Sequence, residues 1–134
     1  MRAPVGRPPP LRLRLTGGSL APQLSGARHE VERWAHQTGL DEPLVEDVVL
    51  AAYEALANVA DHAYPGGAGD ARLDVRRENG VLEATVSDEG RWRPPAGDPG
   101  WRGRGLVIIR GLADEVDVRH DETGTVVRMR WMLG

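Results

Sequence analysis

Between residues 72 and 88 the chain reads RLDVRRENGVLEATVSD, two alternating runs that meet at Asn79-Gly80. Leu73 and Val75 alternate with charged residues before the turn; Leu82, Ala84 and Val86 alternate after it. A period of two puts the apolar residues of each run on one face of a pleated strand. Asn-Gly takes the two successive positive-φ positions of a turn whose twist matches paired strands. The segment therefore predicts an antiparallel hairpin with one wet face and one face that another layer must cover.

The rest of the chain supplies that layer and the remaining strands. Leu11, Leu13 and Leu15 alternate with Arg12 and Arg14, which predicts a half-buried strand broken by Thr16-Gly17-Gly18-Ser19. Leu24, Ala27, Val31, Trp34 and Ala35 mark one face of a first helix that ends near Gly39. Asp41 is placed to cap a second helix with Pro43 in its first turn. The apolar stripe Val45, Val48, Val49, Ala52, Leu56, Val59 and Ala63 carries that helix to about Tyr64. After the hairpin, RWRPPAGDPGWRGRG loses all periodicity and reads as a long mobile loop. A short helix over Leu106 to Ala113 opens at Gly105, Val116 and Val118 mark a strand, and Thr125 to Met132 form the last one. The order β-α-α-β-β-loop-α-β-β predicts an α+β two-layer sandwich, a mostly antiparallel sheet covered by helices on one face. Residues 1–10, rich in Pro and Arg, read as a mobile segment before a single domain over 11–134.

Composition removes several kinds of chemistry. All 17 basic residues are arginine and none is lysine, which excludes a P-loop, a eukaryotic-type protein kinase site and Schiff-base catalysis. There is no cysteine, and His29, His36, His62 and His120 have no zinc-ligand spacing. A net charge of -3 gives no electrostatic footprint for nucleic acid. No apolar run reaches the ~20 residues of a membrane span, and the N-terminus lacks an apolar signal core. The expectation is a soluble, cytoplasmic protein that binds neither nucleic acid nor membrane.

Four polar elements remain. Glu54 and Asn58 lie four apart on one face of the second helix, and Asp61 continues the row. A carboxylate beside an amide oxygen suits a base next to a magnesium ligand, although taken alone the pair is better explained as a solvated helix face, since Glu-x-x-x-Asn is a common accident. Asp88-Glu89-Gly90 follows the hairpin: a carboxylate that can accept from an exocyclic amine, with a glycine that lets a flat ring approach, or an ordinary turn. Gly103-Arg104-Gly105-Leu106 opens a helix whose bare N–H groups suit phosphate, or is a hinge. Thr123-Gly124-Thr125 enters the last strand as a hydroxyl near a base edge, or as a hairpin turn.

In this order the four elements resemble the GHKL ATPases, which group the gyrase, heat-shock chaperone, histidine kinase and MutL families. The resemblance runs from about Leu11 to Leu133. EALANVADHAYPGG and GRGLVIIRGLADEVDV are most similar to the RsbW-type anti-sigma-factor serine kinases. The resemblance implies a Bergerat-type ATP-binding fold and an anti-sigma factor with Mg-ATP-dependent serine/threonine kinase activity. It further implies a STAS-type anti-sigma-factor antagonist as substrate, a sigma factor as sequestered partner, and a homodimer. By position, Glu54 matches the general base and Asn58 the ligand of Mg2+. Asp88 matches the carboxylate that reads adenine, with Gly90 beside it. Gly103, Arg104, Gly105 and Leu106 match the phosphate side, Thr125 the threonine near the base, and Asp61 flanks the ATP site. One position departs: Trp92 stands where the Asp-x-Gly-x-Gly pattern has its last glycine. That departure leaves a second reading, a non-catalytic ATP/ADP-binding switch that binds protein partners.

Overall fold

Asn79 and Gly80 take φ of 52° and 76°, the positive pair that a tight hairpin turn requires. The computed structural model, which describes residues 8–16, 20–63, 69–90 and 104–133, builds the rest of the sheet outward from this turn. The turn joins β2 (Ala71–Glu78) to β3 (Val81–Asp88), paired from Ala71↔Asp88 to Glu78↔Val81. On one side of the hairpin lies β1 (Leu11–Leu15). On the other lie β5 (Gly124–Met132) and the edge strand β4 (Glu115–Asp121). The order is β1-β2-β3-β5-β4, and every pair is antiparallel.

Alternation decides which face is covered. Leu73, Val75, Leu82, Ala84, Val86, Val127, Met129 and Trp131 are buried toward the helices. The opposite face carries ion pairs such as Arg12–Asp74, Arg14–Asp70 and Arg130–Glu83. Solvent screens exposed pairs of this kind, so they keep this face wet more than they stabilise it.

Three helices make the second layer: α1 (Leu24–Gln37), α2 (Glu42–Asn58) and α3 (Arg104–Leu112). The first ends at Gly39, φ 82°, where Gly39 N–H bonds His36 O and Leu40 N–H bonds Ala35 O, a Schellman ending. Asp41 caps the second, its Oδ1 accepting from Leu44 N–H at 3.1 Å, with Pro43 in the first turn. The stripe Val45, Val48, Ala52, Leu56 and Val59 is buried against the sheet. Burial of each such side chain contributes about 1.5–3 kcal/mol. Pro9 O accepts from the indole N–H of the buried Trp34, and Leu112 O accepts from that of Trp131.

The second helix differs from its expectation in one respect. Apolar spacing carries it to about Tyr64 as one regular helix, but the α-helix ends at Asn58 and Val59–Ala63 form a π-helical turn. A π turn holds one residue more between bonded groups and shifts the facing of every residue after it. Among the described residues no helix is long and apolar enough to cross a membrane.

Candidate active site

At one end of the sheet the register lines up Ala71, Asp88, Thr125 and His120 on adjacent strands β2, β3, β5 and β4. Asp88 and Thr125 are buried, at 7% and 1% exposure. A buried carboxylate must be hydrogen-bonded, and Gly90 N–H donates to Asp88 Oδ1 at 2.8 Å. Thr125 Oγ1 lies 2.8 Å from His120 Nδ1. The next turn is fixed from within, because Asp121 Oδ1 accepts from both the N–H and the hydroxyl of Thr123. These bonds hold the Asp121 carboxyl below its usual range. An open cleft of about 410 Å³ at this end of the sheet is lined by Asp70, Arg72, Ser87, Asp88, Glu89 and Thr123, and most of its lining belongs to the wet face, away from the helices.

Gly124 is what brings the two strands this close. Its φ is 146°, and a Cβ built there would stand 1.9 Å from Asp88 O and 2.9 Å from Glu89 Cα. Both neighbours are backbone, so only glycine fits, and its absent side chain lets Thr125 lie directly opposite Asp88.

The second half of the site stands on the helices. Glu54 and Asn58 are half-buried, one turn apart on α2. The first turn of α3 packs onto Asn58 at Gly105. A Cβ there would come within 2.6 Å of Asn58 Nδ2 and 2.7 Å of Oδ1. Glycine at 105 thus lets a helix N-terminus, with its outward N–H groups, seat directly on the amide. Leu106 and Ile109 are buried and anchor α3 against α2.

The structure therefore seats Gly105 on Asn58, with Glu54 one turn away on α2 and Leu106 buried in the same first turn of α3, and brings Asp88 and Gly90 together with Thr125. Arg104 is the first residue of α3. Asp61 lies exposed on the π turn, out of the straight row that α-helical spacing gives it after Glu54 and Asn58. Gly103, Trp92, Trp101 and residues 91–103 of the loop expected over 91–105 lie outside the described residues, and α3 begins one residue before the Gly105 expected to open it. Two contributors were missed in the sequence. Gly124 reads as an ordinary turn glycine, and its close approach belongs to the neighbouring strand. His120 reads as an isolated histidine; its alternation with Val116 and Val118 was the available sign that it shares their face.

Residues 18–131 match the family model of the histidine kinase-like ATPase domain. The chain belongs to the histidine kinase-like ATPase family. Among relatives of this ATPase domain, the serine-protein kinase RsbW of Halalkalibacterium halodurans is 30% identical, over 74% of this chain and 69% of the relative. RsbW of Bacillus cereus is 27% identical, over 73% of this chain and 71% of its own length. Among solved structures, one of the RsbU and RsbW domains of a Mycobacterium tuberculosis protein superposes with a TM-score of 0.76 at 23% identity. That match covers 94% of this chain and 33% of the longer one. A blue-light activated histidine kinase of Erythrobacter litoralis superposes at 0.60, also 23% identical, over 85% of this chain and 41% of its own. Both share the fold of this ATPase domain.

Proposed function

We propose that this histidine kinase-like ATPase domain is a cytoplasmic anti-sigma factor with Mg-ATP-dependent serine/threonine kinase activity. Its substrate is a STAS-type anti-sigma-factor antagonist; the sigma factor is the partner it sequesters, and it works as a homodimer. The observation that carries the reading is the seating of Gly105 on Asn58, one helical turn from Glu54. That seating puts an amide oxygen against a helix N-terminus with a carboxylate one turn away, kinds of group that suit phosphoryl transfer without lysine.

The roles follow from the chemistry of each group. Asp88 accepts from the exocyclic amine of adenine, Gly90 gives the ring room, and Thr125 meets the same edge. The first N–H groups of α3, at Arg104, Gly105 and Leu106, face the phosphates, with Gly103 preceding them. Glu54 takes the proton of the acceptor hydroxyl as its oxygen bonds the γ-phosphorus and the bond to the β-phosphate oxygen breaks. Among the described residues no group of three or more His, Asp or Glu could hold a metal ion. Mg2+ takes one or two protein oxygens and completes its shell with water and phosphate, so the Asn58 amide oxygen fits as its protein ligand. When bound, magnesium would supply neutralisation of the phosphate charge. Asp61 would flank this region from the π turn.

The test is direct: purified protein, magnesium and γ-labelled ATP are mixed with a STAS-type antagonist. Label appears on one serine or threonine of the antagonist, and only with magnesium. Trp92, in place of a glycine beside the adenine motif, favours the second reading, a nucleotide-dependent binding switch. Magnesium-dependent ATP binding without any transfer would establish that switch and end the kinase reading.

A further consequence concerns Gly105→Ala. Alanine is favoured over glycine within a helix by about 0.5–1 kcal/mol, so the fold is kept. Its Cβ, however, takes the space of the Asn58 amide, which must rotate away. The expected result is an unchanged or slightly higher Tm with magnesium-dependent ATP affinity reduced about tenfold or more, the value of one charge-assisted contact. Calorimetric titration with and without magnesium checks it; unaltered affinity would remove Asn58 from the metal.

A further inference from the structure

The row across the end of the sheet contains one polar residue that the nucleotide reading leaves unused. His120 sits on the edge strand β4, opposite Thr125, with its Nδ1 2.8 Å from the Thr125 hydroxyl. A threonine hydroxyl has a single hydrogen and two lone pairs, and an imidazole nitrogen either donates or accepts. Whichever role Nδ1 takes, the hydroxyl must take the opposite one. If Nδ1 accepts, the only hydrogen of Thr125 is turned to the ring, and the buried hydroxyl offers a ligand lone pairs alone. If Nδ1 carries hydrogen, the ring donates and the hydroxyl hydrogen is free to point elsewhere.

That choice matters because of what stands on the other side. Thr125 lies directly opposite Asp88, and a carboxylate only accepts. With its hydrogen freed, Thr125 and Asp88 together present a donor beside an acceptor. Adenine shows the complement, an amine donor next to a ring-nitrogen acceptor. Guanine shows the reverse, a carbonyl oxygen next to a ring N–H, and opposes the pair at both positions. A site built to hydrogen-bond one pattern rejects the other strongly, since mismatched polar groups lose their water without gaining a partner.

We propose that His120 is the positioning residue that sets base selection: its Nδ1–H donates to Thr125 Oγ1 and turns the hydroxyl hydrogen toward the base. The proposal rests on the reading of Asp88 and Thr125 as the adenine-contacting pair. His120 is exposed at the sheet edge and takes no part in the apolar core, so its replacement leaves the fold intact.

The experiment measures Kd for ATP and for GTP by calorimetry with wild type, His120→Phe, His120→Asn, Thr125→Val and the double variant His120→Phe/Thr125→Val. His120→Phe weakens ATP about fivefold, the worth of one neutral hydrogen bond, and leaves GTP unweakened. His120→Asn, whose amide N–H reaches the same oxygen, restores most of the preference. Thr125→Val removes it, and adding His120→Phe to Thr125→Val has no further effect, because the ring acts only through the hydroxyl. A two-bond ¹H–¹⁵N spectrum of the ATP complex shows the His120 hydrogen on Nδ1. An unchanged ATP:GTP ratio in His120→Phe overturns the proposal, as does equal weakening of both nucleotides, or a ring protonated on Nε2 alone. A wild-type protein that binds no nucleotide in the same titration overturns the ATP reading itself, a distinct outcome.

Discussion

Glu54→Gln is expected to bind Mg-ATP nearly as well as the wild type and to transfer phosphate about 10²- to 10⁴-fold more slowly, the contribution of a positioned general base. Glutamine keeps the size and shape of the side chain, with an amide nitrogen in place of one oxygen, so the half-buried position on α2 stays filled. What it loses is the ability to take a proton. Asn58→Ala is the complementary change: it deletes the amide oxygen, so the magnesium-dependent part of ATP binding falls along with transfer. The pair separates proton removal from metal holding by their signatures, a kcat loss at constant KM against a loss of both. Single-turnover transfer to a STAS-type antagonist, with ATP binding measured in parallel, checks it. Wild-type rates in Glu54→Gln would take the base role away from that carboxylate and leave Glu54 an ordinary polar residue of a helix face.

Much of this frame can be read without coordinates, because the signals that set it are local. Alternation around Asn79-Gly80 fixes the hairpin and its buried face; Asp41 and Gly39 mark where one helix starts and the previous one stops. These features involve residues within a few positions of one another. The π turn after Asn58 is different. Val59 and Ala63 continue the apolar spacing of α2, so periodicity extends the helix without interruption, while the backbone changes its winding after Asn58. This is why Asp61 belongs to the Glu54–Asn58 row by sequence spacing and leaves it on the π turn.

The glycines teach the same distinction more sharply. Gly80 and Gly39 are legible because a positive φ at a turn or a helix end is a local demand. Gly105 and Gly124 are required by residues far away in the chain: one by the amide of Asn58, the other by the carbonyl of Asp88. No spacing rule anticipates either. The resemblance to the GHKL pattern draws attention to Gly103 and Gly105 as phosphate-side residues, but the physical reason for Gly105 is a close approach that only the packed helices disclose. His120 follows the same rule: alternation gives its face, and only the strand order gives its partner.

Gly124→Ala should be the most destabilising single substitution considered for this chain, by about 4 kcal/mol, in the range reserved for changes the backbone cannot absorb. Two costs act together. At φ 146° an alanine is strained whatever the space, and its Cβ meets Asp88 O at 1.9 Å, a backbone atom held in the β3–β5 ladder that no rotamer change can move. Relief requires the end of β5 to part from β3, which separates Thr125 from Asp88 and opens the buried end of the sheet. Stability and ligand contact should therefore fall together, in contrast to Gly105→Ala, where the obstructed group is a side chain and the fold survives. Against a total stability of about 5–15 kcal/mol for a domain of this kind, a loss of that size lowers the urea midpoint substantially and leaves some molecules unfolded at 37 °C. Urea unfolding followed by circular dichroism measures it. A Gly124→Ala protein with an unshifted midpoint would mean that β3 and β5 do not approach at Asp88, and with that the register opposing Thr125 to Asp88 would fall.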